Sequence, residues 1–161
     1  MAWLRSHPKP LVRGLGLGLL TAAAFAGIGA FESSYDGLQT APNLTMFRQL
    51  LTSPPRAMGA ACCDLVFAAG YGMLGVVIFR GIGGRTRVAT IGAITIGVAA
   101  LLDELENALL IQNIARQRTT TDGWIDAMTW AGTFKWWGVR LALCLLVVAI
   151  ALAVRRKLRR K

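Results

Sequence analysis

The sequence predicts an all-α membrane protein, a single integral domain over residues 1–161 built as a four-transmembrane-helix bundle with N and C termini cytoplasmic. Three observations carry this reading. The chain is 55% hydrophobic with a mean hydropathy of +0.52, more apolar than a soluble domain of 161 residues requires. Its apolar residues fall into four blocks, at 11–30, 58–79, 88–114 and 134–154. Each is close to the roughly 20 residues that cross a hydrocarbon core about 30 Å thick. The Lys and Arg residues concentrate at the ends of these blocks, away from most of the acids. The blocks lack the alternation of barrel strands, and helices satisfy their own backbone groups in lipid.

The first block carries small residues at four-residue spacing, Gly14 with Gly18 and Ala23 with Gly27. Such pairs let helices approach closely, within the chain or toward another one. Its basic start and Ala24-Phe25-Ala26 imitate a secretion signal. The apolar run continues past that point and exceeds the ~7–15 residues of a signal core, so it is expected to remain as a span. The outer loop 31–57 contains Asn43-Leu-Thr-Met-Phe-Arg-Gln-Leu-Leu, a short amphipathic helix capped by Asn43 or Thr45. It is expected to lie on the outer membrane surface and end at Thr52-Ser53-Pro54-Pro55.

In the second block Asp64, Ala68, Tyr71 and Gly75 share one helical face. Cys62 and Cys63 are adjacent and Cys144 lies deep in the fourth block. This is neither a metal-ligand nor a CxxC spacing, so inert thiols are expected. Gly81-Ile-Gly-Gly84 is a turn without the lysine and strand context of a phosphate loop. The third block has no charge from Val88 to Leu102 and is then broken by Asp103-Glu104-Leu105-Glu106-Asn107. Gly92, Ala99, Asp103, Glu106 and Asn107 fall on one stripe, with Glu104 about a quarter turn away. At 1.5 Å per residue, Asp103 stands about 22 Å from Val88, in the outer third of the membrane. Asp64 belongs at a similar height. Loop 115–133 closes with a turn at Thr119–Trp124. Trp124, Trp130, Trp136 and Trp137 are expected to anchor the outer interface. Lys135 and Arg140 enter the fourth block at the depth of the carboxylates.

Three basic segments contain no acid: Arg5, Lys9 and Arg13; Arg80, Arg85 and Arg87; and Arg155–Lys161. The positive-inside rule places all three in the cytoplasm, which four spans allow. Arg155–Lys161 is expected to hold anionic lipid of the inner leaflet, not nucleic acid. The Ala-, Gly- and Arg-rich composition suggests a bacterial cytoplasmic (inner) membrane protein.

Carboxylates within a span are costly and mark partners, water or function. The candidate polar cluster is Asp64, Asp103, Glu104, Glu106, Asn107, Lys135 and Arg140. The first expectation is structural pairing of the acids with Lys135 and Arg140, in an accessory or interaction subunit of a larger membrane assembly. Its partner would be another membrane protein or a second copy. The second is a small transporter or proton- or ion-handling protein. The third is an enzyme open to the outer leaflet, with paired carboxylates dividing acid and base roles. The layout is similar to that of the lipoprotein signal peptidases, but their Asn-Leu-x-Asp-Arg and Asn-x-Ala-Asp motifs are absent and Trp124-Ile-Asp-Ala127 does not replace them. No catalytic residue is assigned. His7, the one histidine, leaves no ordinary haem or zinc site and no nucleophile–histidine pair, and no cofactor is expected. Four spans are also expected to be too few to enclose a large cavity unaided.

Overall fold

The computed structural model describes residues 8–31, 35–84 and 86–159, and side chains over most of that range. Arg5, His7, Glu32, Arg85, Arg160 and Lys161, which enter the charge and cofactor arguments above, lie outside the described residues. Among the described residues the chain forms helices α1 (Pro8–Phe31), α2 (Tyr35–Gln39), α3 (Leu44–Leu50), α4 (Pro54–Gly83), α5 (Arg87–Ala115) and α6 (Asp122–Leu158).

Three of these, α4, α5 and α6, are long and apolar enough to cross a membrane. In α1 the apolar stretch over which side chains are described is the shorter Gly16–Ile28. The surfaces of the long helices are apolar and turned outward: Ile91, Ile94, Val98 and Leu101 of α5, and Leu141, Leu143, Val147 and Val154 of α6, are exposed. Such a surface suits a lipid solvent, in which satisfied helices need no polar exterior.

The ends follow local chemistry. Asn43 caps α3, its Oδ1 accepting from Met46 N at 2.9 Å. Thr86 caps α5, its Oγ1 accepting from Ala89 N at 3.3 Å. Pro54 and Pro55 open α4, where a fixed φ suits the first helical turn. Helix α3 closes at Leu51, just ahead of the Thr52-Ser53-Pro54-Pro55 segment expected to end it. Gly84 closes α4 with φ 59°, a left-handed position favouring glycine. Two loops differ from expectation. Residues 122–133 are not loop but the first turns of the 37-residue α6. The segment 31–57 contains α2 as well as α3.

The long helices pack in sequence order, α1 on α4, α4 on α5 and α5 on α6, with a smaller α4–α6 contact. Small residues set the distances. Gly92 faces the Phe79 ring, Gly75 faces Ile96 and Gly138 faces Ala99, each leaving no room for a methyl without a shift. On α6 the buried residues Ile125, Met128, Ala131, Gly132, Lys135, Ala142 and Ala149 recur at helical spacing and turn to the interior.

Two apolar cores result. One, at the end carrying α2 and α3, joins Leu38, Phe47, Leu110, Ile125 and Met128 with alanines of α4. The other, toward the α4–α5 turn, joins Phe79, Ala93 and Ala142 with Val76, Ile96, Leu145 and Leu146. Phe47 is fully buried in the first core, so α3 is tied to the helix ends. Leu44 N donates to Asp122 Oδ1 at 2.9 Å and Arg48 Nη2 to the Gln117 carbonyl at 3.0 Å, fastening the two loops together.

Candidate functional site: a buried polar cluster beneath α2

Between the two cores the interior is polar. On α5, Asp103, Glu106 and Asn107 occupy successive positions of one face by their three- and four-residue spacing, and all three are buried. Lys135 of α6 reaches across, its Nζ 2.9 Å from Asp103 Oδ1 and 2.6 Å from Glu106 Oε2. Gly132, one turn before Lys135, makes room: a Cβ there would stand 2.8 Å from Glu106 Oε1. The apolar stem of Lys135 is buried with its charge, which is tolerable only because the ammonium has partners.

The other half of the cluster hangs from α2. Tyr35 Oη lies 2.7 Å from Asn107 Oδ1 and 3.2 Å from Asp64 Oδ2, positioned to donate to either acceptor. Gln39 Nε2 donates to Asp64 Oδ2 and Asn107 Oδ1, both at 3.1 Å. Asn107 Nδ2 in turn donates toward Asp103 Oδ1 at 3.4 Å, linking the α2–α4 half to the ion pairs. Burial, and then the adjacent Asp64 carboxylate, push the Tyr35 phenol far above its ordinary range. Tyr35 is therefore a permanent donor at any physiological pH. Three carboxylates, Asp64, Asp103 and Glu106, are buried in this interior, and Lys135 pairs with the last two.

A cavity of about 380 Å³ adjoins the cluster. Its polar wall is Tyr35, Gln39, Asp64, Tyr71, Asp103 and Lys135. Its apolar wall comes from Phe25 and Ile28 of α1, Phe67 of α4, and Trp136 and Val139 of α6. Phe25 and Trp136 line it while remaining 64% and 57% exposed, so they form its rim. It is open at this rim and not enclosed: α1 and α6 wall it without being among the pairs that pack on each other, while α2 folds over its end.

The structure brings Asp64, Asp103, Glu106, Asn107 and Lys135 together. Arg140 stands apart, exposed, with its guanidinium 5.9 Å from the Trp137 ring. Lys135 and Arg140 are five residues apart, which is about 140° around a helix, so they cannot serve one face. Glu104 is half-buried and takes part in neither ion pair of Lys135. Trp124, Trp130, Trp136 and Trp137 are all exposed on α6. They extend over roughly 20 Å of helix, and Trp136 belongs to the cavity rim. Tyr35 and Gln39 were missed, since a five-residue helix in a polar loop carries no readable period. Tyr71 was placed on the Asp64 face, and its hydroxyl is buried beside Asp103. The thiols Cys62, Cys63 and Cys144 are free. No group of metal-ligating side chains occurs among the described residues.

No known protein family, curated protein or solved structure matches the chain.

Proposed function

We propose that the chain is a four-span protein of a bacterial inner membrane, both termini cytoplasmic, that binds a small amphipathic molecule in the outer half of its bundle. The observation that carries this is the cavity, which joins an aromatic and aliphatic wall to a convergent, buried polar one. That combination, at a few hundred cubic ångströms, is the usual character of a small-molecule site. Transport is less well supported. Below Tyr71 the core toward the α4–α5 turn packs Phe79, Ala93 and Ala142 against Val76, Ile96, Leu145 and Leu146, apolar side chains that carry no proton or ion. Catalysis is also less well supported, because Asp103 and Glu106 are both engaged by Lys135 and not held ready for proton transfer.

Native mass spectrometry of the protein, purified from its own membrane in a neutral detergent, tests the proposal. A retained small molecule is expected on the wild type and not on Val139→Trp, which fills the cavity from its apolar wall. No bound small molecule, or the same one on both proteins, would refute a binding role for this space.

A second reading, an accessory subunit of a larger assembly, is favoured by one observation. Gly16 and Gly18 of α1 have nothing within 4 Å of where a Cβ would lie, leaving a small-residue face open to another helix. Stoichiometric co-purification of one membrane complex from the wild type, lost in Gly18→Leu, is the expected result on that reading. Recovery of the chain alone from both would remove it.

A further inference from the structure

Resting on the binding role proposed above, we infer that the cavity selects a monocationic amine with an apolar body, its ammonium facing Asp64 and Asp103. The charge inventory of the interior points this way. Among the described residues the one ammonium of this interior, Lys135, is already shared by Asp103 and Glu106. Asp64 has no cation beside it among the described residues; its Oδ2 accepts from the neutral donors Tyr35 and Gln39. A cation placed beside Asp64 would offset the cost of burying that carboxylate unpaired.

Among the described residues, hydrogen bonds reach only Oδ2 of Asp64, which lines the cavity together with Asp103. Asp64 therefore keeps Oδ1 for a ligand donor, and the buried Tyr71 Oη stands beside Asp103 in the same lining. Asp36, exposed, adds a further negative charge to the lining. An anion would meet these acids with no free cation to receive it.

The remaining wall describes the rest of the ligand. Phe25, Phe67 and Tyr71 form a continuous aromatic run, with ring centroids 5.5 and 5.3 Å apart, leading from the rim to the acids. Aromatic faces attract ammonium groups as well as apolar chains. A bare hard cation would need about six or more oxygens and would leave that wall in contact with nothing. The exposed rim residues Phe25 and Trp136 give such a molecule a side entrance from the lipid.

Isothermal titration in a neutral maltoside detergent, with three probes of one shape, tests the inference: 4-phenylbutylamine, 4-phenylbutanol and 4-phenylbutyrate. The amine is expected to bind at least about tenfold more tightly than the alcohol, as a charge-assisted pair predicts, and the acid more weakly still. Asp64→Asn is expected to erase the preference for the amine while leaving alcohol binding in place, since the amide oxygen of the substituted side chain still accepts from Tyr35 and Gln39. Val139→Trp is expected to abolish binding of all three. If Asp64→Asn does not fold, the probe series on the wild type decides alone. Equal binding of alcohol and amine, or tighter binding of the acid, overturns the cationic ligand and leaves the binding role standing. No binding of any probe also overturns it, and the native mass measurement then decides separately whether the cavity holds a ligand at all.

Discussion

Lys135 is the side chain on which the interior most depends. Its Nζ holds two carboxylates that have no other cation beside them among the described residues. Removing one member of a buried charge pair costs about 3–5 kcal/mol, because the charge left behind is uncompensated. Lys135→Met is thus expected to lower the thermal midpoint in detergent sharply and to reduce folded yield. The triple variant Lys135→Met, Asp103→Asn, Glu106→Gln is expected to recover most of that loss, since it removes the orphaned charges together. A single Lys135→Met variant as stable as the wild type would mean that Asp103 and Glu106 are not held as an ionic cluster. Arg140→Met is expected to change little, because Arg140 is exposed and only stacked over Trp137. The sequence made both cations candidates. Only their angular separation on α6 tells them apart, and that separation decides which one meets the acids.

At the scale of elements, close helix approach rests on particular glycines and not on glycine in general. Gly92 sits against the Phe79 ring at the α4–α5 contact, whereas Gly18 has open space beside it. Gly92→Ala is expected to destabilise by about 1–3 kcal/mol, the usual cost of overpacking, through displacement of a ring that is 2% exposed. Gly18→Ala is expected to leave the thermal midpoint unchanged. Equal effects of the two would mean that α4 and α5 do not pack as closely as Gly92 requires. The long helices were legible from their apolar runs, and the Asp103–Asn107 break marked the right segment of α5. The cap at Asn43 was legible from one residue, because its short side chain can replace a backbone acceptor. Helix α2 was not. Nothing in Tyr35-Asp36-Gly37-Leu38-Gln39 distinguishes a loop from a turn of helix, and the identity of Tyr35 and Gln39 as donors to Asp64 and Asn107 depends on long-range packing. The cavity was illegible for the same reason, being a gap between elements and not a property of any one of them.

At the scale of the molecule, the number of spans turns on whether α1 crosses the membrane with α4, α5 and α6. Its contacts bear on this directly. Gly27 meets Cys63, Phe25 stacks near Phe67, and Thr21 meets Gly70. The α1 numbers fall as the α4 numbers rise, so the two helices run antiparallel side by side at matched depth. A helix of 24 residues is about 36 Å long, enough to accompany α4 through a hydrocarbon core of about 30 Å. Charge is uneven along the bundle: Arg80, Arg87 and the run Arg155–Arg159 gather at one end of the helices, and Asp36, Asp122 and Asp126 at the other. Four spans place the chain's two ends on one side of the membrane; three would place them on opposite sides. Single-cysteine variants in a background lacking Cys62, Cys63 and Cys144 resolve the matter, probed in intact cells with an impermeant maleimide, alongside a cysteine fused ahead of the N-terminus. Cysteines replacing Thr40 and Thr121 are expected to label, while the N-terminal fusion and a cysteine replacing Arg156 label only after lysis. Labelling of the N-terminal fusion in intact cells, with the Arg156 position protected, would leave α1 outside the membrane. The cavity it walls would then open to water instead of lipid, and entry from the bilayer past Phe25 and Trp136 would fail with it.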